Sequence, residues 1–432
     1  RSTNCSTRRD LRPRICRPCT YRAGGRPASI IGVARRRGEE SGSGHAGGTR
    51  QHENVAEVSL VTLRIPSRDR GQPSYLAHIA APGAACRLRI PVSGAANRPY
   101  AAREDGVKET PLGLTVNGTA GVVMATQNFG VLPTKNWQQG AFDGWEKIHG
   151  EELTRRFLKK NSACFGCPIG CGRKTQVDDP RFAGEGEGPE YETIYAMGSN
   201  CMIDDLAAIT KANYICNEMG MDTITMGATI ACAMELVDRG YLSEEEIGRS
   251  LKWGDAEALV ELTRMTGSRE GFGDLLAEGS YRLAERFGHP ELAPVSKKQE
   301  FPGYEPRGAQ AMGLAYATSP IGGSHMRGDP AYFELFGVPE SMDPHQWEGK
   351  AKVTKAYQDL SAIIDSAGLC IFFAVRNLAS KDLGVAPVGI LEYLNAATGA
   401  GYTLDELKQA GERVINAERL FLVKAGFTAK DD

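Results

Sequence analysis

Cys164-Phe-Gly-Cys167-Pro-Ile-Gly-Cys171 is the stretch on which the reading of this chain turns. The spacing C-x2-C-x3-C lets three thiolates converge on one inorganic core. Gly166, Pro168 and Gly170 allow the tight turns that clustered sulfurs need. A fourth ligand must come from elsewhere, and such a loop is a familiar holder of a [4Fe–4S] cluster. Zinc and a disulfide are the competing readings. Zinc motifs usually come as two spaced pairs, and no second C-x2-C or H-x3-H follows. An odd total of 11 Cys, without a readable signal peptide, disfavours disulfides. Cys201, Cys216 and Cys232 fall at apolar helical positions and read as packing residues. Cys370 follows Asp365-Ser-Ala-Gly368-Leu369 at the end of a long helical pattern and is the natural fourth ligand.

Outward from that loop, 432 residues predict two or three domains, or one large one. Apolar content of 41% and charged content of 24% are ordinary for a globular chain. Apolar runs stop well short of about 18 residues, so no membrane span and a cytoplasmic location are expected. A net charge of −2 argues against a general nucleic-acid binder. That total joins two unlike pieces. Residues 1–100 carry 18 Arg, no Lys and 6 acids, whereas the rest carry 33 bases and 47 acids. Solvated surfaces normally use both Arg and Lys, so the switch marks a boundary near residue 100. The bland reading of residues 1–105 is a basic, largely disordered segment. A transit-type peptide and a misjoined, out-of-frame start are the alternatives. Cys16-Arg-Pro-Cys19 lacks a second pair and carries little weight.

From Thr110 onward the text is locally consistent and predominantly α-helical. A short helix is expected over 151–160. Asp204 and Asp205 both offer an N-cap for Leu206–Met219, and Asp222 can cap a helix running to about Arg239. Ser243 with Glu246 and Thr403 with Glu406 form capping boxes. Helices are also expected over 255–266, 274–287, 345–364, 389–397 and 403–422, with long loops near 172–190 and 297–330. Gly184-Glu-Gly-Glu-Gly188 lacks the context of a dinucleotide loop and is rejected as one. Two domains follow, 106–240 with the three-Cys loop and 241–432 with Cys370.

A near-repeat links them. Asn217-Glu-Met-Gly220-Met221-Asp222 echoes Asp365-Ser-Ala-Gly368-Leu369-Cys370. An acid beside a Gly turn can accept hydrogen bonds from a flat, donor-rich ring such as a pterin, and Gly lets the backbone come close. Two ordinary helix C-caps are the bland alternative.

Taken together, the Cys run, the D-x-x-G-L-C segment and the text around them resemble the tungsten-containing aldehyde ferredoxin oxidoreductase family. Gly118-Thr-Ala-Gly-Val-Val, Leu132-Pro-Thr-Lys-Asn136, Gly188-Pro-Glu-Tyr-Glu-Thr193, Gly198-Ser-Asn-Cys-Met-Ile-Asp-Asp205 and Asp222-Thr-Ile-Thr-Met-Gly227 carry the likeness. So do Pro306-Arg-Gly308, Gly313-Leu-Ala-Tyr-Ala-Thr-Ser319 and Gly411-Glu-Arg-Val-Ile-Asn-Ala-Glu-Arg419. The resemblance implies a mainly α fold of two packed helical domains, preceded in the family by a β-rich domain. It implies a tungsten bis-pterin beside one [4Fe–4S] cluster, with Mg as a companion ion. Carried over, Cys164, Cys167, Cys171 and Cys370 hold the cluster. Asn217, Gly220 and Asp222 contact one pterin, and Asp365, Gly368 and Leu369 the other. Arg307 reaches a pterin phosphate; its bland reading is a surface ion pair. Glu192 and His325 face the metal's substrate pocket. The implied activity is oxidation of a small-molecule aldehyde to a carboxylate, with ferredoxin as electron partner and a homodimer as the assembly.

Several residues depart from the family pattern. Asn217 stands where Asp is expected, so it accepts without charge. Ile321 stands where many relatives carry Arg, which keeps alive a reductase acting on an aromatic acyl-CoA such as benzoyl-CoA. No β-rich pattern is recognisable in residues 1–100, and relatives are expected to continue past Asp432. A non-catalytic iron–sulfur fragment is therefore the reading from a different class.

Overall fold

The computed structural model describes residues 20–23, 26–29, 60–66, 73–80 and 113–431, apart from 166, 168, 339 and 376–386. It divides into two units, one holding residues 1–95 and the other nearly all the rest. The first unit contributes two antiparallel hairpins, β1 (Thr20–Ala23) with β2 (Arg26–Ser29) and β3 (Leu60–Pro66) with β4 (Pro73–Ala80). The disorder expected over 1–105, and Cys16 and Cys19, otherwise lie outside the described residues.

The second unit is the helical body expected from the pattern. It opens with α1 (Leu114–Asn117), α2 (Val122–Asn128) and α3 (Gly150–Phe157). Helix α3 was expected to reach residue 160 but ends at Phe157. Leu153 and Phe157 are its buried positions, and the chain then straightens into β5 (Leu158–Ser162). β5 pairs with β6 (Gly172–Val177), which pairs with β7 (Gly184–Glu187), all antiparallel. The expected loop at 172–190 is thus mostly sheet. Its Gly- and Glu-rich strand has no apolar alternation to betray it.

Next come α4 (Tyr191–Met197), α5 (Leu206–Met219) and α6 (Thr223–Asp238). Asp205 caps α5 by accepting from Ala207 and Ala208, and Asp222 caps α6 by accepting from Thr225 at 2.7 Å. These helices end where local chemistry says they should. α6 is buried from Met226 to Leu236, and so it forms the centre of the larger core. Cys201, Cys216 and Cys232 are all fully buried there, as packing residues should be.

Around them lie α7 (Glu244–Ile247), α8 (Ala256–Ser268), α9 (Phe272–Leu276) and α10 (Ser280–Arg286). The single helix expected over 274–287 is broken between α9 and α10. Gly279 sits there at φ 86°, a conformation that ends a helix. A short hairpin, β8 (Val295–Ser296) with β9 (Gln299–Glu300), leads to α11 (Gln310–Thr318). The loop expected at 297–330 therefore hides a helix. Its Ala311-Met-Gly-Leu-Ala-Tyr316 text is buried on several sides and lacks an amphipathic period. Glu334 accepts from the Ala311 and Met312 N–H groups, capping α11 from α12 (Ala331–Glu334). Lys350 pairs with that buried carboxylate.

The second apolar core is built by α12, α13 (Lys350–Ser366), α14 (Ile371–Ala374), α15 (Val388–Thr398) and α16 (Leu404–Lys424). Both predicted capping boxes are formed, at Ser243 and Thr403.

One contact fixes the geometry that matters for the site. α4 crosses α6 with Gly227 against Ala196, and a Cβ on Gly227 would lie 2.4 Å from the Ala196 carbonyl carbon. Backbone cannot yield as a side-chain tip can, so the helices need glycine there. Gly227→Val should lower stability by about 2–3 kcal/mol in chemical denaturation. Gly240→Ala has open space at φ 76° and should cost only about 1 kcal/mol. Equal effects would show that the crossing is not tight.

Candidate functional site

The three-Cys loop is the connection of a hairpin. Ser162 and Gly172 are the last paired residues of β5 and β6, and Cys164, Cys167 and Cys171 lie between them. A turn closes Cys167 N–H onto the Cys164 carbonyl at 3.0 Å, and Gly170 takes φ 62°. Cys370 comes from about 200 residues further along the chain, as the N-cap of α14. All four cysteines are free thiols. Burial pushes the Cys171 thiol up to about 11, with Glu190, Cys370 and Cys167 adding negative charge. Burial also raises Cys370, whereas the Phe373 and Phe372 N–H groups lower it and Cys167 and Cys164 raise it again. The four thiols therefore share one electrostatic neighbourhood.

Two further observations fit an iron–sulfur core there. Leu114, Ile169, Phe372 and Phe373 pack around Cys167 and Cys171 as an apolar shell. Arg173, 2% exposed, stands two residues after Cys171. Its guanidinium donates to Asn161 Oδ1 and the Leu114 carbonyl, both at 2.6 Å, and its Nε has no partner. Its direct acceptors are neutral; burial disfavours the cation, and the negative charge acting against that comes from Cys171, Glu190 and Glu187. Thiolates on an anionic cluster would add negative charge beside it. Among the described residues no three Cys, His, Asp or Glu side chains are gathered tightly enough to share a single metal ion.

The six-residue echo is real as geometry. α5 ends at Gly220 (φ 70°) with Met221 N–H on the Cys216 carbonyl at 2.9 Å. α13 ends at Gly368 (φ 66°) with Leu369 N–H on the Ile364 carbonyl at 3.1 Å. Both are left-handed glycine caps, as the bland reading held. Each is followed at the same offset by the N-cap of another helix, Asp222 for α6 and Cys370 for α14. A cap alone does not require that second step. Asn217, Gly220, Asp222, Asp365 and Gly368 are exposed, with nothing within 4 Å of a Cβ placed on either glycine. A flat ligand could approach both turns. Arg327 donates to Asp365 at 2.7 Å, tying the second turn to the loop that carries His325.

Glu192 opens α4, and His325 lies in the loop after α11; the structure brings them together. His325 Nε2 is 3.7 Å from Glu192 Oε1. Glu192 Oε2 accepts the Gly303 N–H at 2.8 Å, while Oε1 is buried with no hydrogen-bond partner. Burial pushes Glu192 up to about 8, against the lowering by Gly303 and helped by Asp329 and Asp222. Burial pushes His325 down to about 4. At neutral pH the pair is a protonated acid facing a neutral imidazole.

The Gly303 segment is itself pinned. Tyr195 donates to the Phe301 carbonyl and Tyr191 to that of Gly303. Tyr316 donates to the Pro302 and Tyr304 carbonyls at 3.0 and 3.3 Å. A Cβ on Gly303 would lie 2.6 Å from the Tyr195 ring. Asp329, 6% exposed with Oδ1 unpartnered, is pushed up to about 7 by burial. Sequence reading missed Gly303, the tyrosines, Arg327 and Asp329. Arg307 is engaged elsewhere, with its Nε on Glu305 Oε1 at 2.7 Å and a further bond to the Trp137 carbonyl.

Comparison with known proteins gives the family. The family model described as "Aldehyde ferredoxin oxidoreductase, domains 2 & 3" matches residues 99–432. The tungsten-containing aldehyde ferredoxin oxidoreductase of Pyrococcus furiosus is 44% identical over 324 residues, covering 74% of this chain and 52% of that protein. The protein of the same name from Thermococcus kodakarensis gives the same values. The chain thus spans about half the length of these curated relatives. Among solved structures, the BamBC active-site complex of benzoyl coenzyme A reductase with 1,5-dienoyl-CoA superposes with a TM-score of 0.61. It covers 78% of this chain and 57% of its own at 16% identity, a likeness of fold alone. The extent of the family match and the 44% identity place the chain in the aldehyde ferredoxin oxidoreductase family.

Proposed function

We propose that this chain is the helical, cofactor-holding part of a tungsten-pterin enzyme that oxidises aldehydes to carboxylates and passes the electrons to a ferredoxin. The observation that carries the reading is the pairing of Glu192 and His325 near the first of two matching Gly turns, with the second turn leading into Cys370. In it, Cys164, Cys167, Cys171 and Cys370 hold a [4Fe–4S] cluster. Asn217 with Asp222, and Asp365, contact the pterins beside Gly220, Gly368 and Leu369. Asn217 accepts without charge, so its pterin contact is the weaker. Asp222 already uses one oxygen to cap α6. Arg307 contacts a pterin phosphate only by sharing the guanidinium that Glu305 holds.

When bound, a tungsten bis-pterin supplies a two-electron acceptor, and the cluster divides the pair into single electrons. The chain's own residues manage protons. Gly303 N–H fixes Glu192 Oε2, which leaves Oε1 toward His325. Held near 8, Glu192 gives a proton to a carbonyl oxygen as it gains charge and can take one back from water. Neutral His325 offers one N–H or one lone pair to the same atoms. The four buried tyrosines around the segment keep bulk water from it.

Glu192→Gln should lower turnover by roughly a hundredfold or more with the fold intact. The same group makes stability depend on pH. Glu192 is raised in the folded state from 4.5 to about 8. Its contribution is fully present below 4.5 and is lost as pH rises through about 8. The Gln variant should flatten that alkaline fall in a denaturant titration. An unchanged slope would remove Glu192 as its source. For the cluster, anaerobically purified protein should carry about four Fe per chain together with tungsten by elemental analysis. Cys370→Ala should abolish the EPR signal of the reduced cluster, whereas Cys201→Ala should keep it. A signal that survives in the first variant strikes Cys370 from the ligand set.

A further inference from the structure

We propose that the outer face of the β5–β6 hairpin, bearing Lys159, Lys160 and Lys174 beside exposed Phe165, is the docking surface for an acidic single-electron carrier protein. The inference rests on the function proposed above and adds where its carrier lands.

The charge pattern is local and one-sided. Leu153–Val177 contains six basic residues and no acid. The sequence from residue 101 onward otherwise has a large excess of acids. Of the six, Arg173 is buried, Arg155 is paired to Glu152, and Arg156 lies over the Phe157 ring. The three lysines are exposed, and among the described residues none has an ion-pair partner.

The sheet register makes this arrangement unfavourable for folding alone. Lys160 stands directly opposite Lys174. Like charges at facing positions of an antiparallel pair repel. An irregularity between Leu158 and Lys160 leaves the adjacent lysines Lys159 and Lys160 both facing solvent on an edge strand. Glu187 faces Lys174 from β7 but accepts the Arg173 N–H at 3.0 Å. A bound anionic surface would turn this repulsion into attraction.

Position argues the same way. The Lys160–Lys174 pair lies two residue steps from the Ser162–Gly172 pair that closes the Cys loop, about 7 Å along the strands. The loop tip presents Phe165, 74% exposed, next to exposed Cys164. An apolar contact rimmed by like charges suits a small, transient interface with electrostatic steering. With a reduced cluster held by the four cysteines, each encounter would pass one electron to the oxidised carrier, with no proton moved. Two encounters clear the pair taken from one aldehyde.

The test compares the holoenzyme with its K160E/K174E and K160Q/K174Q variants, using an acidic ferredoxin and the small dye benzyl viologen as acceptors. At about 50 mM salt, KM for ferredoxin should rise roughly tenfold in K160E/K174E and less in K160Q/K174Q, with both differences shrinking near 0.3 M. Calorimetric titration with the same ferredoxin should show a parallel loss of affinity, while dye turnover stays unchanged. Unaltered ferredoxin KM and affinity would overturn the proposal. Unaltered affinity with a shifted cluster midpoint potential would also overturn it, assigning the lysines to the cluster instead. If the parent protein fails to oxidise aldehydes with dye, the proposed function falls, and the calorimetric comparison still decides the docking surface.

Discussion

The close crossing of α4 and α6 at Ala196 and Gly227 is the constraint from which the site follows. With no side chain between the backbones, the first turns of the two helices lie side by side. Thr193 and Thr223 share a hydrogen bond of 2.8 Å there. Glu192 and Asp222 each neighbour one of those threonines, so two acids are brought near each other at one end of the core. Asp222 is exposed, whereas Glu192 is buried, and that burial pushes the Glu192 carboxyl up to about 8. Widening the crossing would admit water to Glu192 and lower its affinity for a proton.

The second organising device is a piece of local chain used twice. A helix ends in a left-handed glycine, an apolar residue folds back, and the next residue caps a new helix. At one copy that cap is an acid; at the other it is a thiol. The device aims a ligand-type side chain from a rigid helix start while leaving the glycine side open. Arg327 then connects the second copy to the His325 loop, so the elements of the site are mechanically linked.

What the sequence made legible was governed by neighbours in the chain. Asp205, Asp222, Ser243 and Thr403 cap helices through residues two or three positions away, and the starts of those helices were readable. The three-Cys spacing was equally local. Gly303, Arg327 and Asp329 gain their meaning from partners far away in sequence, and nothing in their own surroundings signals it. β7 and α11 were hidden for opposite reasons. The strand is too polar to alternate, and the helix is too buried to show a polar face. Glu192 was within reach only through the family resemblance. Its burial comes from tyrosines on three separate segments.

Cys171 and Cys370 have about 200 residues, from β6 to α13, between them in the chain. A cluster bound by both is therefore a cross-link that closes a very large ring, and ring closure of that size carries a substantial entropy cost in an unfolded chain. The ligand set becomes complete only after the hairpin loop and the α13–α14 junction have found each other. Insertion of the proposed cluster would therefore come late in maturation, as a checkpoint on folding rather than a seed for it. Conversely, loss of iron to oxygen would do more than stop electron flow. It would free the three-Cys hairpin loop from the α13–α14 junction at the point where the proposed electron path leaves the protein.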